Sequence, residues 1–386
     1  MSFSQRCDVK LLDSAVQSPE GTRLESWGGK VGLLASGLLM GLVLAEGAAR
    51  IIAPNQAADL LFNASDASPM NLYVIDKETR VTTAPNIDTS IESLDYTVKI
   101  KTNELGLRGP ELSQVPTKTP HWIAVGDSFT MSVQVDQEDT FSGQLSAKSG
   151  AQIWNAGVDG YSTWQATLRV QQIKDHLPIK RVLLTFFTGN DFQDNERFLA
   201  MQRSPLPGLA GSPIPRPNIP ESEIWLMQHS YIYAHYRIWN KVRQLGSPHD
   251  FSKGNWQDEL RLFTLDGEKR RSQLRNQTKR ALQQLRDYTR QNNMKLMVAI
   301  APPAFVIHPE RLEATFKLVD LDPNRADVDA PQQLVVDILT ELKIPHCDLS
   351  PALRQANQPY LTFDGHWTLE GHTAVADAIA TCWGIP

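Results

Sequence analysis

Residues 121–130 read HWIAVGDSFT: a short apolar run that stops at Gly126 and passes at once to Asp127 and Ser128. An unbroken apolar stretch of this length suits a strand buried on both faces, as in parallel sheets. Gly126 permits a tight exit from the strand. In open α/β sheets, ligands bind beyond the carboxyl ends of the strands, where a helix N-terminus also favours developing negative charge. Gly-Asp-Ser by itself is weak evidence for chemistry, because Asp and Ser are also the ordinary turn and cap residues.

Outward from this stretch, apolar runs recur at Ile153–Ala156, Val182–Phe187, Leu296–Ala301 and, more faintly, Ile344–Cys347. Most segments between them have helical spacing, as with Leu274, Leu282, Leu285 and Tyr288 in a charged stretch that ends at Gln291-Asn292-Asn293. Apolar strands alternating with helices predict an α/β domain with a parallel sheet covered on both faces. The rhythm breaks between Phe198 and Thr264, where SPLPGLAGSPIPRPNIP (204–220) is too rich in Pro and Gly for helix or inner strand. Ser230–Leu245, with Tyr231, Tyr233, Tyr236, Ile238 and Trp239, reads as an amphipathic helix, so about residues 198–264 form an insertion over one end of the sheet.

Three later segments bring chemistry to the same sheet edge. NAGVDGYS (155–162) ends the second run, and Gly157 and Gly160 there leave backbone N–H groups unshielded by side chains. TFFTGND (185–191) ends the third and places Asn190 beside Ser128. Amides converging on one point would form an oxyanion hole. FDGHWTLEGH (363–372) holds Asp364 and His366 ahead of a helix capped by Thr368. A serine hydroxyl needs a neighbouring base, and that base needs a carboxylate to fix its tautomer. In an extended stretch, residues two apart face the same side, so both groups can reach one site. His372 falls in the first turn of the next helix, beside Glu370 and Gly371, where a surface or capping histidine is expected.

The order Gly-Asp-Ser, Gly, Gly-x-Asn-Asp and Asp-x-His, each at a strand end, resembles the SGNH/GDSL hydrolase family over about residues 120–384. The resemblance implies a flavodoxin-like three-layer α/β/α fold with a parallel sheet. It implies Ser128 as nucleophile, with the Ser128 N–H, the Gly157 N–H and the Asn190 side chain as oxyanion donors. His366 becomes the general base and Asp364 its orienting carboxylate. The family's commonest spacing is Asp-x-x-His, one residue longer than here, which leaves the Asp364 role less secure. TNELGLRGPEL (102–112) also resembles a stretch that precedes the first strand in membrane-anchored members.

The N-terminal part carries a different signal. Val31–Ala45 reads VGLLASGLLMGLVLA, and continuing to Ile52 gives about 22 residues, enough to span a bilayer. Arg23 and Lys30 precede the segment, whereas no Lys or Arg occurs from Ile51 to Ile75, so the N-terminus is expected in the cytoplasm. The expected organisation is a cytoplasmic tail (1–30), a transmembrane anchor (31–52), a stalk with a few strands (53–120) and the hydrolase domain (121–386). Asn63-Ala64-Ser65 matches a glycosylation acceptor by pattern.

A net charge of −5 without basic runs argues against nucleic acid as a partner. Three cysteines without CxxC spacing indicate no zinc site; Cys347 and Cys382 share the outward domain and can pair, while Cys382 follows Val375 and Ile379 on a helical face, so plain burial is an equal reading. No metal or organic cofactor is implied. The expected protein is a single-pass inner-membrane serine esterase with its catalytic domain on the periplasmic side. Its substrate would be an acyl ester, in particular an acetyl ester of an envelope polysaccharide. An O-acyltransferase and a catalytically idle envelope scaffold are the alternatives.

Overall fold

The computed structural model describes residues 21–52, 72–92, 96–116, 118–212, 257–362 and 364–385, with scattered positions between 222 and 236. Five parallel strands form its main sheet: β5 (His121–Val125), β6 (Gln152–Asn155), β7 (Ile179–Phe187), β8 (Lys295–Ala301) and β9 (His346–Asp348), in the order β6-β5-β7-β8-β9. This is the flavodoxin-like order, whose chain path reverses direction between β5 and β7. Doubly wound sheets form their ligand crevice at such a switch point, outside the carboxyl ends of the strands. Ser128, Gly157 and Asn190 all lie just past carboxyl ends of β5, β6 and β7.

Alternation along each strand divides the core into two layers. Ile123, Val125, Val182, Leu184, Phe186, Val298 and Ile300 pack with the helices α4 (Thr163–Lys174), α6 (Glu268–Gln291) and α9 (Ala330–Glu341). Their neighbours Trp122, Ala124, Leu183, Met297 and Ala299 face the other way, onto α3 (Phe141–Ser149) and α11 (Leu369–Trp383). The last strand starts two residues later than its apolar run. Pro345 has no N–H to place in a ladder, and its carbonyl accepts the Val298 N–H at 3.0 Å.

The segment ahead of β5, read as a stalk with a few strands, does contain strands. From residue 72 it forms two antiparallel hairpins, β1 (Tyr73–Asp76) with β2 (Arg80–Thr83) and β3 (Asp88–Glu92) with β4 (Thr97–Lys101). Leu72, Ile91, Val98 and Ile100 bury together with Met131 of the domain. Tyr161 donates to Val81 O at 2.7 Å and Gln165 to Thr79 O at 2.9 Å, so the hairpins are bound to the loop and helix after β6. The insertion also ends earlier than expected: Leu260, Leu262 and Phe263 already belong to the main core. Asn63 and most of residues 230–245 lie outside the described residues.

The helix α1 (Gly21–Ile52) carries an apolar window, Gly29–Ile51, long enough to cross a membrane, and its side chains are not buried against the domain. Near its end Glu46 accepts the Tyr231 N–H at 2.7 Å, the Ile232 N–H at 3.1 Å and the Ser230 hydroxyl at 2.9 Å. Arg50 pairs with the same carboxylate at 2.9 Å.

Candidate active site

The turn that carries Ser128 is dictated by crowding at Gly126. Its φ is 147°, and a Cβ there would stand 2.5 Å from Thr130 Oγ1 and 2.7 Å from Thr185 O, so no other residue fits. Asp127 then caps the single-turn helix α2 (Ser128–Met131), accepting the Phe129 N–H at 3.0 Å. Ser128 is the first residue of α2, and an N–H at that position has no intrahelical partner. Ser132, at φ 56°, closes the turn.

The side chain that faces Ser128 comes from the loop before α11. His366 Nε2 lies 2.7 Å from Ser128 Oγ, and His366 Nδ1 is hydrogen-bonded to Asp364 Oδ1. The loop is not extended as the sequence suggests. Gly365 takes φ 78°, and the resulting bend lets Asp364 Oδ1 also accept the His366 backbone N–H at 3.2 Å. The short Asp-x-His spacing therefore closes on itself. Two further donors face the carboxylate: Gln134 Nε2 at 3.3 Å and Tyr96 Oη at 3.4 Å. Tyr96 belongs to the segment read as a stalk, and neither residue carries a sequence signal toward this role.

Burial disfavours charge on His366, but the Asp364 carboxylate outweighs it, with Asp159 and Asp127 adding to the effect, so the imidazole titrates above its ordinary range. Asp364 stays below the usual carboxylate range despite its own burial, because His366 and Gln134 hydrogen-bond its charged form. The Phe129 ring lies 4.7 Å from that of His366 and stacks on Phe187 at 4.1 Å, giving the site one apolar wall.

At the adjoining strand end Gly157 approaches the Ser128 turn closely: a Cβ there would stand 2.3 Å from Met131 N. Its N–H, however, donates to Asn155 Oδ1 at 3.1 Å. Gly160, at φ 70°, has open space where a Cβ would be. Asn190 is the N-cap of α5 (Asp191–Met201), yet its side chain makes no capping bond to that helix. Asp191 accepts the Phe187 N–H at 3.0 Å and so closes the turn that presents Asn190. Burial pushes Asp127 up to about 7 and Asp191 well above the carboxylate range, the latter also through repulsion from Asp127 and Asp194.

Residues 262–383, which include Asp364 and His366, match the family described as SGNH hydrolase-like domain, acetyltransferase AlgX. The domain has the α/β fold of SGNH hydrolases. Similar solved structures include a lipolytic protein of the G-D-S-L family from Desulfitobacterium hafniense (12% identity, 68% of this chain and 99% of that one, TM-score 0.35). Others are a catalytic mutant of an acetylxylan esterase from Geobacillus stearothermophilus (9%, 69% and 95%, 0.35) and a GDSL-like lipase from Bacteroides thetaiotaomicron (14%, 70% and 90%, 0.34). No curated protein matches the chain in sequence.

In this SGNH domain the remaining histidine is part of the core. His372 is 1% exposed, lies between Phe141 and Trp367, and accepts the Phe141 N–H at 3.3 Å on Nδ1. Burial holds its pKa down to about 3, so it stays neutral. The surface or capping role expected for it is replaced by packing, and its spacing to Val375 and Ile379 on one helical stripe was the available signal. Among the described residues, no group of three or more His, Cys, Asp or Glu side chains is arranged to hold a metal ion.

Proposed function

We propose that this protein is a serine esterase acting on acyl esters through an acyl-enzyme, with Ser128, His366 and Asp364 as its triad. The observation that carries the reading is the 2.7 Å approach of His366 Nε2 to Ser128 Oγ while Nδ1 is held by Asp364. His366 takes the hydroxyl proton as Ser128 Oγ attacks the acyl carbonyl, and Asp364 holds the tautomer and the imidazolium that forms. The oxyanion is received by the Ser128 N–H and the Asn190 side chain. The third donor of this reading is the Gly157 N–H, which hydrogen-bonds Asn155 Oδ1 at 3.1 Å in the absence of substrate. As the tetrahedral adduct collapses, His366 returns its proton to the leaving alcohol. Water then attacks the ester on Ser128, again with His366 as base.

A second reading replaces that water by an acceptor hydroxyl, making the protein an O-acyltransferase; the acetyltransferase named in the matching family favours it. Both readings place the domain outside the cytoplasm. Their supports are the apolar α1, Arg23 and Lys30 ahead of it, and the bridge between Cys347 and Cys382, which suits an oxidising compartment. The substrate proposed is accordingly an acetylated envelope polysaccharide.

The test is turnover of an aryl acetate by the full chain and by Ser128→Ala, His366→Ala and the double variant. Each single variant should lose about 10⁶-fold in kcat, and the double should be little worse, since the pair acts as a unit. Ser128→Ala activity within tenfold of wild type would overturn the assignment. Supplying acetyl donor and polysaccharide together separates the readings: acetate released to water means esterase, acetyl on the acceptor means transferase.

A further inference from the structure

Arg108 lies in the stretch ahead of β5, and its side chain is fully buried. Among the described residues it forms no ion pair. Its guanidinium instead donates to three main-chain carbonyls: Met131 O at 2.7 Å, Ser132 O at 2.5 Å and Val135 O at 2.9 Å. Its own N–H donates to Asn155 O at 3.0 Å, and the Asn155 side chain donates to Thr130 O at 2.7 Å. Together Arg108 and Asn155 claim the carbonyls of residues 130, 131, 132 and 135.

These carbonyls belong to the C-terminal end of α2 and the loop just beyond it, and the opposite end of α2 presents Ser128. A single helical turn does not hold itself, because nucleation costs more than one hydrogen bond returns. Burying a guanidinium without a paired charge is costly, so packing alone does not account for an arginine here. A planar fork of charge-assisted donors at a helix C-terminus both fixes the carbonyls and complements the helix dipole.

We propose that Arg108 is a positioning residue that locks the carbonyl end of α2 so that Ser128 keeps its aim at His366. The proposal rests on the reading of Ser128 as nucleophile. Arg108 acts through the turn and not on the substrate, so its loss should slow turnover more than it weakens binding.

The full chain carrying Arg108→Lys, and separately Arg108→Met, is compared with wild type on an aryl acetate and by hydrogen exchange of amides 129–135. Lysine keeps the charge but not the planar fork. The expected result for folded Arg108→Lys is a kcat lower by about 10- to 100-fold, as for a misplaced catalytic group, with KM within about twofold. Exchange should quicken at 129–135 and stay unchanged in β7. A kcat within twofold of wild type overturns the proposal, and so does activity loss that only tracks loss of folded protein. Unchanged exchange at 129–135 overturns it whatever the activity. If Arg108→Met does not fold, Arg108→Lys decides alone. A wild type inactive on every ester would sink the esterase reading, while the exchange comparison still decides whether Arg108 holds the turn.

Discussion

At His366, burial and the Asp364 carboxylate push the ring's charge in opposite directions, and the carboxylate prevails. As the proposed base, His366 accepts a proton only when neutral, so activity should fall as pH drops through this raised pKa. Asp364→Asn removes the charge and keeps the shape, which lowers the ring's pKa. The acid limb of the kcat/KM profile should therefore move to lower pH, and the plateau should drop by about 10⁴ as the amide supports the wrong tautomer. A limb that stays in place would show that His366 is not the titrating base. Asn190→Ala should cost about 10²–10³ in kcat with little change in KM, the usual loss for one oxyanion donor. A change confined to KM would make Asn190 a binding or turn residue. Ser128, Asp364 and His366 were legible because turn and triad chemistry confine them to short local patterns. Tyr96, Gln134 and Arg108 were not, because their roles exist only through tertiary contacts.

Among the elements, α11 is held at both ends. Thr368 caps its start by accepting the Gly371 N–H at 3.1 Å, and Cys382 near its end is bridged to Cys347 in β9 across a separation of 35 residues. A loop of that size is worth about 4 kcal/mol in the chain-entropy account. Cys382→Ser should lower the unfolding free energy by up to that amount, and reductant should bring wild type to the same value, as read from denaturant midpoints. A variant as stable as oxidised wild type would show that the bridge does not form in solution. Apolar runs located the strands well, because strands buried on both faces read as continuous hydrophobic stretches. Ahead of the sheet a few strands were expected, but the pairing of β1–β4 was harder to see: their burial patterns are partial, and their partners come from α2 and the loop after β6. The bend at Gly365 was missed for the same kind of reason, since periodicity says nothing of a loop shaped by the Asp364 carboxylate.

For the whole molecule, the proposed orientation rests on the distribution of charge around α1. A reporter active only outside the cytoplasm, fused after Pro386, should be active, given Arg23 and Lys30 before the apolar segment and no Lys or Arg from Ile51 to Ile75. Activity of a cytoplasm-only reporter at that position would reverse the orientation and remove the argument for an envelope substrate. The strand order could not be read from periodicity, which gives strands but not their neighbours. It followed from family resemblance, and the β6-β5-β7-β8-β9 sheet bears it out.

The hydroxyl of Ser128 and the imidazole that activates it stand 238 residues apart in the chain. Chains emerge from the ribosome N-terminal part first, at about 5–20 residues per second. On the proposed assignment Ser128 therefore exists for about ten seconds or more before its base has been made. Throughout that interval its hydroxyl lacks the group that would activate it. All five strands of the sheet, the last ending at Asp348, precede His366, so the two side chains meet only once the whole sheet is available.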